Sequence, residues 1–168
     1  MSELSFINKL HDDLIKYVGE FNFTKTHPWH RNLVSLYCSI IALSESAIAL
    51  LESGKTAGLP AVFRTILETY VEFKILIQDR TYGYYMEAQK TKSWLKDTKE
   101  AAKGKNPYLR DLSNRPDLPQ IIESLEKKYK ELEAKAKTNG YKKRIEIKEK
   151  FERAGLIYEY NSIYNDLS

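Results

Sequence analysis

The stretch PAVFRTILETYVEF, residues 60–73, sets Arg64 and Glu68 four positions apart inside an otherwise apolar helical pattern. A guanidinium and a carboxylate one helical turn apart can do two kinds of work. As an ion pair they tie elements together. As a polar pocket, the Arg binds an anion through its planar fork of donors while the Glu orients that anion or exchanges a proton with it. At about 100° per residue, Leu59, Val62, Phe63, Ile66, Leu67, Tyr70, Phe73 and Ile77 share an arc of about 140°, wide enough to be the principal core face. Arg64 and Glu68 project from the far side with Ala57, Ala61, Val71 and Ile75, a surface too apolar to face only solvent. The helix is therefore expected to have neighbours on both sides and its charges to be partly enclosed, where an unpaired charge is expensive. Arg before Glu is the weaker orientation for an intrahelical pair, so Glu45 of the preceding helix is expected as a further partner of Arg64.

Other candidate chemistry is sparser. HPWH places His27 and His30 three apart, but the remaining histidine is His11 in a different helix, so no metal site is expected. Tyr82, Tyr84 and Tyr85, with Tyr158, Tyr160 and Tyr164 near the end, can stack on bases or pack cores and subunit contacts. The sequence holds no Gly-rich phosphate loop, no Gly-x-Ser-x-Gly and no Cys-x-x-Cys, so no cofactor is expected. Lys142, Lys143 and Arg144 form a basic group that can attract a phosphate backbone.

The elements that position these residues read as helices throughout. Leu4, Ile7, Leu10, Leu14, Ile15 and Val18 recur at helical spacing and predict a first helix over 5–20. Thr26 or His27 caps a second, over 28–53, with Pro28 in its first turn and Gly54 as its stop. The third runs over 57–79. A lysine-rich helix from about 84 to 104, a loop, and a helix opened by Asp117 and seamed by Ile122, Leu125, Tyr129, Leu132 and Ala136 follow. A short basic helix and a final one over 155–168 complete the chain. The expected architecture is all-α: one domain over 1–168, a helical bundle of six to seven helices with its core in 5–20, 28–53, 57–79 and 155–168. A charged, partly projecting helical pair makes a polar arm over 84–153.

Composition narrows the class further. The chain has 168 residues, 42% hydrophobic and 30% charged, enough for a proper core without disulfides. The single Cys38 lies in LYCSIIAL, where a free cysteine is expected as a small buried hydrophobe. Residues 33–51 approach the length of a membrane span, but Glu45 falls among them, and a mid-membrane carboxylate costs about 2.5–3.5 kcal/mol. They are read as a central buried helix, with no membrane partner. With no signal-peptide pattern at the N-terminus, the cytoplasm is the expected location. The net charge of +4 is uneven: 19 basic against 12 acidic residues over 86–153, and 8 against 9 over 1–85. Because acids interleave the bases, this reads first as a solvated face laced with ion pairs.

One resemblance emerges from these motifs. The serine-containing helix, GLPAVFRTILETYVEFKIL with its Arg-x-x-x-Glu centre, the charged middle and the terminal YNDLS resemble the bacterial all-helical proteins grouped as domain-of-unknown-function family 5677. Tyr164, Leu167 and Ser168 match that family's end motif, which continues there to a His; relative to it the chain is expected to be C-terminally truncated. Such proteins are similar in outline to HEPN domains, many of which cut RNA with an Arg and a closely following His across a dimer. The resemblance implies that fold and an RNA or phage-defence context. The Arg–His pairing itself is absent, because no His follows His30 and the first Arg is Arg31. The expectation is a noncatalytic interaction or dimerisation module, a homodimer or the partner of another protein. The alternative is a HEPN-type RNA-binding protein or ribonuclease toxin.

Overall fold

Helical periodicity governs the whole of the described chain, residues 3–22, 24, 26–141 and 144–167 of a computed structural model. The fold is all-α, and no strand occurs among the described residues. The helices are α1 (Glu3–Val18), α2 (Pro28–Glu52), α3 (Leu59–Gln78), α4 (Tyr82–Ala102), α5 (Arg110–Ser113), α6 (Leu118–Thr138), α7 (Ile147–Arg153) and α8 (Ile157–Glu159). A π-helical segment, Tyr160–Tyr164, continues α8. The chain forms two compact units, residues 1–80 with 145–168, and residues 81–144.

In the first unit α1 packs on α2, α2 on α3, and α7 on α3. Pro28 opens α2 from an extended His27, whose side chain makes no capping bond. Gly54, at φ +68°, closes it: the Lys55 amide reaches the Leu50 carbonyl and the Gly54 amide that of Leu51. A 3₁₀ turn, Thr56–Gly58, leads into α3, so the third helix starts two residues later than its periodicity indicates. Gly155, at φ +69°, ends α7 in the same manner as Gly54 ends α2, which turns the chain into α8.

Two expectations about this unit are corrected. The buried residues of α3 are Leu59, Val71, Ile75 and Leu76; of the expected principal core face Leu59 is buried and Val62, Phe63, Ile66, Leu67 and Phe73 are half-buried, whereas Tyr70 and Ile77 are 42% and 57% exposed. Both sides of α3 are apolar, and α2 and α7 both pack on this helix, so burial is divided between its sides. The second correction concerns α2. It is the expected central buried helix, yet its buried residues are Asn32, Ala47 and Ile48, and Cys38 is exposed.

In the second unit α4 pairs with α6. Ala88, Thr91, Thr98 and Ala101 of α4 and Leu118, Leu132 and Ala136 of α6 are buried, and small side chains on one helix admit the larger ones of the other. Tyr82, Tyr85 and Tyr141 cluster with ring centroids 5.4–5.7 Å apart. Lys99 bridges to Glu126 at 2.6 Å. The expected loop between these helices holds a 3₁₀ turn, Pro107–Leu109, and α5. Asp117 does not cap α6 with its side chain, because Arg115 engages both carboxylate oxygens at 2.9 and 2.7 Å. The polar segment read as one arm to residue 153 is divided by the fold, since α7 packs on α3 in the first unit.

Candidate functional site

Successive turns on one stripe of α3 present Arg64, Glu68, Val71, Glu72 and Ile75, and this stripe meets α7 and the C-terminal segment. Glu72 takes a hydrogen bond from Lys150 of α7 in an ion pair whose side chains are 26% and 21% exposed. One turn earlier, Glu68 Oε1 accepts from Arg64 Nε at 3.2 Å and from the Tyr164 hydroxyl at 2.5 Å. The Arg64 guanidinium stands 4.7 Å from the centre of the Tyr164 ring. Tyr164 itself is buried, stacked on Tyr160 at 5.4 Å and packed against Phe151 at 4.9 Å.

The final segment explains how Tyr164 arrives there. A regular helix is expected over 155–168. Instead the three-residue α8 widens into the π-helical turn Tyr160–Tyr164, a feature of helices that is frequent at functional sites. In that wider turn the two tyrosine rings lie within 19° of parallel, with fully buried Phe151 against both.

Electrostatically the trio closes on itself. Glu68 hydrogen bonding, then Tyr164, holds the Arg64 guanidinium above its ordinary range, and burial followed by the Glu68 bond pushes the Tyr164 hydroxyl up. The arrangement suits a clasp that holds the C-terminal segment on α3. The Arg64 and Glu68 side chains remain 40% and 41% exposed, so solvent reaches the clasp from one side.

The other candidates lie apart from this cluster. Glu45 is exposed on α2 and forms no ion pair with a described residue; its expected role beside Arg64 is taken by Glu68 and Tyr164. Of the basic group, Lys142 and Lys143 lie outside the described residues. Arg144 is exposed and, with Lys92, Tyr129 and Glu133, lines a small cleft of about 90 Å³. Of the end motif, Tyr164 is buried, Leu167 is half-buried and Ser168 lies outside the described residues. His30 Nδ1 accepts from the Thr24 amide at 3.2 Å, and the His27 ring centre lies 5.6 Å from its own. Among the described residues no group of three His, Cys, Asp or Glu side chains could hold a metal ion.

Sequence reasoning named Arg64, Glu68 and Tyr164 but did not join them. Tyr160, Tyr164 and Leu167 recur at steps of four and three, which marks a face without saying what it meets. The Lys150–Glu72 pair spans 78 positions and has no local signature.

The sequence of this all-α chain also matches a known family. The family of unknown function DUF5677 matches residues 30–168, and the chain belongs to that family. The match takes in α2 through the end motif, and α1 precedes it. No curated protein and no solved structure matches the chain.

Proposed function

We propose that the chain acts as a homodimerisation module whose seam is α2. One observation carries this reading: the best 18-residue window of α2 has a mean hydropathy of 1.8, yet its large apolar residues, Leu33, Val34, Leu36, Ile40 and Leu43 among them, are only half-buried. An apolar helix that its own chain covers only in part offers its remaining face to a partner. Arg31, Ser35, Cys38, Ala42, Glu45 and Ala49 are all exposed, at alternating steps of four and three, the spacing of a helix–helix seam. Ser39 and Ser46 return their hydroxyls to the Ser35 and Ala42 carbonyls at 2.8 and 2.9 Å, so covering this face strands few polar groups.

Arg31 and Glu45 lie equally far from Cys38 on either side. In an antiparallel pair with its two-fold axis at Cys38, each Arg31 meets the Glu45 of the other copy, which is the self-complementarity such an interface requires. By length and composition α2 could equally cross a membrane. Glu45 in its middle opposes that, whereas a charge partner in a second copy accommodates it.

Light scattering at micromolar concentration is expected to give twice the 19.6 kDa of one chain. Mild oxidation is expected to link two copies through Cys38. Ala42→Glu is expected to yield monomer with an unchanged far-UV spectrum. A wild-type protein that is monomeric and is not linked through Cys38 on oxidation overturns the reading, and recovery only in detergent favours the membrane.

A further inference from the structure

The end of α1, Glu20 to Asn22, the first turns of α2 and Phe73 of α3 line an open cleft of about 580 Å³, the size range of pockets that hold drug-sized ligands. Tyr17, Phe21, Trp29, Tyr37 and Phe73 supply its walls. The Phe21 ring meets Tyr37 edge-on at 4.9 Å, and Tyr37 lies 6.0 Å from Phe73. The Tyr37 hydroxyl is committed to the Leu14 carbonyl at 2.9 Å, so what Tyr37 offers the cleft is its ring. Glu20 supplies a carboxylate, and neither Lys nor Arg occurs among the described lining residues.

We propose that this cleft binds an organic cation, a quaternary or tertiary ammonium carrying an apolar body. Aromatic faces are the negative ends of ring quadrupoles and attract a weakly hydrated cation, most strongly where water is excluded. Glu20 adds a full negative charge at the same place. One face of Trp29 is already taken by the Arg80 guanidinium, 4.5 Å from the ring centre, so the ligand cation is assigned to the rings of Tyr17, Phe21 and Tyr37 beside Glu20. The volume far exceeds an ammonium head, so the remainder of the ligand is apolar and lies against Leu33, Val34 and Phe73. Tyr17, Glu20, Phe21 and Trp29 precede the residues that match the family, and Leu33, Val34, Tyr37 and Phe73 lie within them. The site does not depend on the dimer.

The chain has two tryptophans, and Trp94→Phe leaves Trp29 as the reporter of the cleft. Three probes of similar size separate the chemistries: benzyltrimethylammonium, benzyl alcohol and phenylacetate. The expected result is a saturable change in Trp29 emission with the cation, at least tenfold tighter than with the alcohol, and none with the anion. Glu20 is exposed, so Glu20→Gln should fold normally. That variant is expected to weaken the cation three- to tenfold and leave the alcohol unchanged; Phe21→Leu is expected to weaken the cation more than the alcohol. Ala42→Glu is expected to bind as the wild type does, which separates this site from the seam. Equal binding of cation and alcohol, absence of saturation, or a Glu20→Gln protein that binds the cation unchanged each overturns the proposal.

Discussion

Two helices of this chain carry small residues at spacings that let another backbone approach closely, α4 with Ala88, Thr91, Thr98 and Ala101, and α2 with Ser35, Cys38, Ala42 and Ala49. The first row is buried and the second is exposed. The difference lies in what the chain supplies next. After α4 it returns through α6, whose Leu132 and Ala136 close on that row. After α2 it returns through α3, which covers another side. The same local pattern is thus a finished interface in one unit and an open one in the other. Around the closed seam the helices carry ion pairs such as Lys135–Glu131 and Lys137–Glu133, while the exposed row of α2 carries Arg31 and Glu45 with small side chains between them.

The comparison can be broken at its firmest point first. In the corner of the first unit that is closed, Phe151 has no exposure and touches both Tyr160 and Tyr164. Phe151→Ala removes the ring through which α7 meets the π-helical turn and is expected to cost about 3–5 kcal/mol in urea unfolding. A loss below about 1 kcal/mol there means that the corner is loosely packed and that the clasp at Glu68 does not depend on it. The next test places one change in both seams. Ala88→Leu overfills the covered row and is expected to cost about 1–3 kcal/mol. Ala42→Leu, measured where light scattering shows monomer, is expected to stay within about 0.5 kcal/mol of wild type. If the two variants lose equal stability, the rows do not differ in coverage.

What could be read in the sequence follows the same line. The helices were legible because apolar residues recur at the helical period and because proline and glycine punctuate them; Pro28 and Gly54 bracket α2 to within a residue or two. How burial is divided between the sides of α3 was not legible. A row headed by Phe63, Leu67 and Phe73 looks heavier than one with Val71 and Ile75, and only the packing of α2 and α7 on this helix divides burial between them. Apolarity likewise pointed to a buried α2, because hydropathy records what a surface avoids and not whether its own chain covers it. Arg64 and Glu68 stood out as charges in an apolar stretch. Their third member, Tyr164, required knowing that a residue near the end of the chain folds back over α3.

The clasp itself is open to a smaller and pH-dependent test. Tyr164→Phe removes one hydroxyl that donates to a carboxylate, and because Glu68 is part-exposed the expected loss at pH 7 is about 1–2 kcal/mol. The folded protein holds the Tyr164 proton above the ordinary tyrosine value of about 10, chiefly through burial and then through Glu68. A raised value means that the native state binds this proton more tightly than the unfolded chain does. The contribution is therefore complete below about pH 10 and is lost as pH rises beyond it. Tyr129 in the second unit, pushed up to about 12 by its bond to Glu133 and then by burial, has the same sign. The wild type alone consequently cannot assign the loss to one unit. The difference between wild type and Tyr164→Phe can: it is expected to stay constant between pH 7 and 9 and to shrink above pH 10, while Tyr129→Phe shows a parallel decline. A difference that holds its size through pH 11 would mean that the Tyr164 hydroxyl is not the donor to Glu68, and the clasp would then rest on ring packing with Phe151 and Tyr160.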